Sequence, residues 1–322
     1  MTSRRWLPVG ALGISVLLWS TAYVVSGEVL KTGSPAVLSV LRFVVGLLVL
    51  VPLSARRPGF LSALRNPRTL LLGLTGVTLY YSFSNIGLLF TSPGTVALTA
   101  ALSPVLTTAI AFILLRERLS PRTVVGLVLV TLGVILVSTA KLHFDLGIAL
   151  NIIALTSYAL YTVLLRRDSE LGRPVSTDAV VLATATAVWG TLFMLPWLGV
   201  ELATGYARMP QGVGGIGGVL YLGLIVTAPT LVLFNYGAER LPAAVTGIAI
   251  AAIPAVGYAL AVLLGEPLDP VKTIGGVISL IGVLVATLAA PPHEQSPPGA
   301  VVAHDDAQLT RWAARKAIGA SR

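Results

Sequence analysis

Ala101-Leu102-Ser103-Pro104, an apolar run to Leu115, and then Arg116-Glu117-Arg118-Leu119-Ser120-Pro121 make up a stretch that the chain contains twice. The second copy is Ala252-Ile253-Pro254, an apolar run to Leu264, and then Gly265-Glu266-Pro267-Leu268-Asp269-Pro270. Each copy carries a proline inside an apolar segment, a glutamate at the segment's end, and another proline four residues after the glutamate. Glycines come at matching places, Gly126 and Gly133 in one copy and Gly275 and Gly282 in the other. The match also runs backwards, from Asn85 and Gly87 to Asn235 and Gly237. Self-similarity over this length makes the chain two related halves. A proline within a helix leaves the carbonyl one turn back without its partner. In a membrane, interrupted helices at corresponding places in two halves point to a transporter's binding site. Pro104 and Pro254 are therefore the candidate hinges.

Composition sets the environment. Only 11% of the residues are charged, 55% are hydrophobic, and the mean hydropathy is +0.88. A soluble domain carries about 25% charged residues. Apolar runs predict ten membrane spans, at about 7–27, 35–54, 68–89, 93–115, 121–140, 146–165, 177–199, 213–236, 243–264 and 271–290, each near the ~20 residues that cross a bilayer. Ser34-Pro35, Asn66-Pro67, Ser92-Pro93, Ser120-Pro121 and Asp269-Pro270 each offer a capping side chain and then proline at the first helical position. The predicted fold is thus all-α and integral to the membrane. Residues 1–140 form the first five-span half, 141–290 the second, and 291–322 a proline-rich cytoplasmic tail without fixed structure. The chain has no cysteine, which excludes disulfides and thiolate chemistry.

The formal charge of +9 is distributed as a topology signal. Seventeen of the 22 Lys and Arg residues fall on the side that holds both termini, and four, Lys31, Lys141, Arg208 and Lys272, fall on the other. The positive-inside rule then places both termini in the cytoplasm. It also accounts for the basic balance without a nucleic-acid partner. Five spans per half is an odd number, so the halves lie inverted relative to each other. The loop charges agree, because Arg116-Glu117-Arg118 is basic where its relative Gly265-Glu266-Pro267 has lost both arginines.

Several of these motifs resemble those of the EamA-type drug/metabolite transporters, ten-helix exporters. The resemblance rests on Leu41-Arg42-Phe43, Asn85-Ile86-Gly87, Leu102-Ser103-Pro104 and Arg116-Glu117-Arg118-Leu119-Ser120, and in the second half on Phe234-Asn235-Tyr236-Gly237, Ile253-Pro254 and Gly265-Glu266-Pro267-Leu268. It covers residues 7 to 290 and implies export of amino acids, metabolites or drugs. It implies an inner-membrane location and does not specify the solute.

No catalytic constellation is present in the sequence. His143, His293 and His304 lie in a loop and the tail, no nucleophile elbow or Walker loop occurs, and no metal or cofactor site is expected. The glycines of Gly214–Gly218 read as helix-packing positions, and Gly126, Gly133, Gly275 and Gly282 as packing notches. Arg42 is the one charge well inside an apolar span, and a buried intramembrane charge is functional by default. It can attract a carboxylate-bearing solute, pair with carbonyls freed by a broken helix, or snorkel to the surface. Glu117 and Glu266 read as helix-end caps or ion-pair members before they read as proton carriers. Polar and aromatic stripes at i, i+4 or i+7 occur on four helices: Trp19 with Tyr23; Thr78, Tyr81, Ser82 and Asn85; Thr99, Ser103 and Thr107; Asn151, Tyr158 and Thr162. From these, Trp19, Tyr23, Arg42, Tyr81, Asn85, Tyr158 and Asn235 are the candidate substrate contacts. The expected partners are a small-molecule solute and the lipid bilayer. A sugar-phosphate carrier, a membrane enzyme or a non-transporting membrane protein are the competing classes, and the oligomeric state is left open.

Overall fold

The computed structural model describes residues 6–115, 120–139, 145–230, 233 and 243–289. Among them every regular element is helical and no strand occurs. The tail at 291–322, Glu117, Asn235 and their neighbours lie outside the described residues.

The first half opens with α1 (Trp6–Val29) and α2 (Pro35–Ala55). A short α3 (Phe60–Arg65), which no apolar run announces, fills part of the next loop. One continuous helical rod comes next, from α4 (Pro67–Gly73) through a π turn (Leu74–Leu79) into α5 (Tyr80–Gly87). Another rod joins α6 (Pro93–Thr99), a 3-10 turn (Ala100–Leu102) and α7 (Ser103–Leu115), and α8 (Pro121–Thr139) completes the half. The second half holds α9 (Leu146–Glu170), α10 (Ala179–Ala203), α11 (Gly212–Leu220) with a second π turn (Tyr221–Thr227), α12 (Ala243–Leu263) and α13 (Pro270–Ala289). These bounds lie close to those read from the sequence. Six of the rods are long and apolar enough to cross a membrane: Leu7–Val29, Pro35–Ala55, Pro93–Leu115, Leu146–Asp168, Ala179–Ala203 and Gly212–Thr230. The rod from Pro67 to Gly87 is as long but carries more hydroxyl and amide side chains, among them Thr75, Thr78, Tyr80, Tyr81 and Asn85.

The Asx/Ser-Pro starts behave as their chemistry requires, with one difference. Asn66, Ser92, Ser120 and Asp269 accept from backbone amides in the first turn of their helices. Ser34 makes no such bond. Its hydroxyl instead donates to Glu201 Oε2 at 2.5 Å, and Glu201 Oε1 takes the Ala36 amide at 3.1 Å. A carboxylate from the end of α10 therefore caps α2 in place of the local serine, which suits the positive end of a helix.

The repeated glycines are packing notches, as their sequence positions suggest. Gly126 faces Gly282 and Ala286, and Gly133 faces Gly275 and Ser279, so α8 and α13 run antiparallel in close contact. A Cβ on Gly282 would stand 2.7 Å from the Gly126 carbonyl, and one on Gly275 2.6 Å from that of Gly133. Gly218 likewise admits Val25 and Val29 of α1 against α11. The same interlocking recurs elsewhere. Gly46 of α2 lies against Gly223 of the second π turn, and Gly190 of α10 lies against Gly73 and Val77 at the first.

Candidate functional site

About a third of the way along α2, Arg42 is only 5% exposed. It stands seven residues after Pro35, the first residue of its helix, about 10 Å into the rod. Its guanidinium carbon sits 4.7 Å from the centre of the Tyr81 ring. Its Nε donates to Thr227 Oγ1 at 3.3 Å, and Thr227 in turn donates to the Leu222 carbonyl five residues back. Thr227 is the last residue of the second π turn, a distortion that concentrates at functional sites. The turn brings Thr227 and Gly223 against α2 between Arg42 and Gly46. The Arg42 pocket is thus closed by residues from both halves.

Aromatic rings extend from Tyr81. Phe43 and Tyr80 each meet its ring edge-on, at centroid distances of 4.8 Å and interplanar angles of 79° and 84°. Tyr80 continues to Tyr158 at 5.1 Å, and Tyr158 to Tyr161 at 5.4 Å. The Tyr23 side chain lies beside that of Tyr80. Its ring also lies 3.6 Å from where a Cβ on Gly257 of α12 would stand. On another face of α1, Thr21 is 2.9 Å from the Tyr221 hydroxyl. Four helical rods and the second π turn therefore converge on one aromatic group. Tyr158 is nonetheless 38% exposed, so its ring borders open space while touching its neighbours.

Four of the sequence candidates, Tyr23, Arg42, Tyr81 and Tyr158, come together here. Trp19 packs one turn away, against the apolar cluster of Val29, Leu38, Val219 and Leu222. Asn85 is buried and its amide donates to Ser39 at 2.8 Å, tying α5 to α2. Asn235 lies outside the described residues. Several stripe residues turn to their own or a neighbouring backbone: Thr99 to the Thr95 carbonyl, Thr162 to Tyr158, Thr78 to Gly190, and Asn151 to Val96. Tyr80, Tyr161, Phe43 and Thr227 belong to the group although the sequence stripes do not single them out. The adjacent Tyr80-Tyr81 pair and the i, i+3 spacing of Tyr158 and Tyr161 are the signals that could have found the tyrosines.

The two prolines differ in their surroundings. Pro104 lies just after the 3-10 turn at Ala100–Leu102, where the helix tightens around the missing bond. Pro254 lies inside the uninterrupted α12, and the neighbouring Ile253 carbonyl accepts from Ser20 of α1 at 3.2 Å. Beyond Pro254, Glu266 acts as a cap. Its carboxylate takes the Ser92 hydroxyl, the Gly94 amide at 2.9 Å, and Lys272 Nζ at 3.1 Å. It thereby holds the start of α6 onto the end of α12, where Leu98 and Tyr258 also pack together. Two surface concavities, along α8 at Val124–Leu132 and at Ser62–Pro67, lie away from the aromatic group.

An interlocked bundle of long apolar helices, doubled in sequence and holding one buried cation among tyrosines, defines a multi-pass membrane protein built around an internal polar group. The profile of the EamA-like transporter family matches residues 7–139 and again 145–288, and the chain belongs to that family. It is a transporter by family, and its relatives are named as transporters rather than enzymes. It is 27% identical over 283 residues to a probable terminal-alkyne amino-acid exporter of Streptantibioticus cattleyicolor, covering 86% of this chain and 92% of that one. It is 25% identical over 289 residues to an uncharacterized transporter of Archaeoglobus fulgidus, covering 88% and 98%. It is 28% identical over 277 residues to the uncharacterized transporter YetK of Bacillus subtilis, covering 82% of each. A solved crystal structure aligns with a TM-score of 0.61 at 23% identity, over 86% of this chain and 95% of that one, which shows a shared fold.

Proposed function

We propose that the chain is a secondary exporter of small organic metabolites, amino acids foremost, working by alternating access between two inverted five-helix halves, 1–140 and 141–290. It sits in the inner membrane with both termini in the cytoplasm. Support for the inverted arrangement comes from α8 and α13, whose glycine pairs map onto each other when the halves are exchanged. The π turns at matching places and the doubled family match support it too. Support for the orientation comes from the loop charges.

The observation that carries the solute class is the lining of the central group. Tyr81 and Thr227 touch a single cation, Arg42, and Tyr80, Tyr158 and Tyr23 extend the aromatic group from Tyr81. Aromatic faces with a few hydrogen-bonding groups suit a small, largely apolar or zwitterionic molecule. A polyanion needs more positive charge to offset its desolvation. The relative named as an amino-acid exporter points the same way. Counterflow in proteoliposomes tests this reading, with labelled neutral amino acids compared against sugar phosphates. Amino-acid flux above empty liposomes is expected. Sugar-phosphate exchange without amino-acid flux would replace the solute class, and no flux of any solute would remove the export reading.

A further inference from the structure

Among the described residues the charge on Arg42 has no ion-pair partner. Thr227 is the one hydrogen-bond acceptor that the described residues give it, and that acceptor is neutral and reaches only Nε. A guanidinium carries five N–H donors. Among the described residues the one fully enclosed side-chain polar atom without a partner is Thr230 Oγ1. The terminal nitrogens of Arg42 have no protein acceptor among the described residues, and the residue keeps 5% of its surface accessible.

The surrounding elements offer no carboxylate at this depth. Among α1, α2, the first π turn with α5, α9, α10, the second π turn and α12, acidic residues occur only near the helix ends. Three of these are already engaged: Glu28 with Lys31, Asp168 with Arg68, and Glu201 with Ser34 and Ala36. An arginine inside an apolar span is costly to place there, and one cation–π contact returns only part of that cost. Tyr81 therefore offsets part of the cost and orients the fork, but does not neutralise it.

We infer that Arg42 is the anchor for a carboxylate of the transported solute. The inference rests on the transport reading and deepens it: the solutes are carboxylates, and the corresponding amines and amides are excluded. The terminal nitrogens present a planar fork that a carboxylate can meet with two parallel hydrogen bonds. The Tyr80 and Tyr158 rings lie beyond Tyr81, placed for the apolar body or, in a zwitterion, for an ammonium against a ring face. Phe43, edge-on to Tyr81, supports the ring on which the guanidinium rests.

The test separates the carboxylate from the rest of the solute. The purified full-length protein is titrated with L-phenylalanine, 3-phenylpropionate, L-phenylalaninamide and phenethylamine, and binding is read by calorimetry or thermal shift. Both carboxylates are expected to bind at least tenfold, and up to about a hundredfold, more tightly than the amide and the amine, as expected for a charge-assisted pair. Arg42→Gln should bring that ratio close to one, and Arg42→Lys should keep part of it by holding the charge without the fork. Gly10→Ala, at a position with nothing within 4 Å of the added methyl group and outside the site, should leave the ratio unchanged. The proposal is overturned if folded Arg42→Gln keeps the wild-type ratio, if amide and acid bind wild type equally, or if no carboxylate binds. Amino-acid counterflow that persists in Arg42→Gln with the ratio intact would remove the anchor and leave the export reading standing.

Discussion

Gly126 and Gly282 lie face to face where α8 crosses α13, and exchanging the two halves turns this pair into Gly275 and Gly133. A self-complementary contact of this kind is what a pseudo-two-fold axis produces. Neither pair has room for a methyl group, because the facing atoms are backbone and cannot rotate away. We predict that Gly282→Ala and Gly275→Ala each destabilise the folded protein by about 1–3 kcal/mol, the range for overpacking. Gly10→Ala and Gly13→Ala in α1 meet nothing within 4 Å and serve as controls. Thermal midpoints in detergent check this, and equal midpoints in all four variants would contradict the packing role.

Topology is open to a direct measurement, since the chain has no cysteine of its own. Ser62 and Met209 are both exposed, in loops that the charge distribution assigns to opposite sides. With a membrane-impermeant thiol reagent on intact cells, Met209→Cys should label and Ser62→Cys should label only after lysis. Labelling of both from one side would contradict the inverted halves.

Most helix positions were legible because apolar runs stop at proline, and because the preceding Ser, Asn or Asp can cap. Arg42 was legible as the lone charge in its span. The members of the aromatic group were less so, and the π turn at Leu74–Leu79 gives the reason. A stripe drawn at i, i+4 from Thr78 through Asn85 assumes about 3.6 residues per turn. The wider turn rotates the rest of the rod about its axis, so Thr78 meets Gly190, Tyr81 meets Arg42 and Asn85 meets Ser39. Thr227 depends on the second such turn in the same way. The Glu201 cap joins residues 165 and 167 positions apart, and no local pattern carries that information.

The two prolines are predicted to contribute unequally to a hinge. Alanine at 104 restores an amide that can bond the Ala100 carbonyl and lets the 3-10 turn relax to α-helix. Pro104→Ala should therefore slow transport more than Pro254→Ala, whose helix is already continuous, with membrane abundance held in both. Wild-type flux in the double variant would rule out an essential hinge.

Glu266 makes the last prediction, about how the end of the bundle at the start of α6 closes. Its carboxylate joins α6 to α12 through Ser92, Gly94 and Lys272, and the two helices continue packed at Leu98 and Tyr258. As a carboxylate it makes charge-assisted hydrogen bonds to the Lys272 ammonium and to the Gly94 amide in the first turn of α6. Glutamine keeps the shape and one acceptor oxygen but loses the charge. The carboxylate and ammonium are mostly buried, so the loss leaves Lys272 poorly neutralised. Glu266→Gln should then shift the protein toward states open at this end. Leu98→Cys reports on this, because Leu98 is 2% exposed in the closed arrangement. Its labelling by an impermeant thiol reagent from outside should be slow in the Leu98→Cys background and rise severalfold with Glu266→Gln. Glu266→Asp, which keeps the charge on a shorter arm, should fall between the two. Unchanged labelling in Glu266→Gln, with folding intact by thermal midpoint, would show that apolar packing alone holds this end shut.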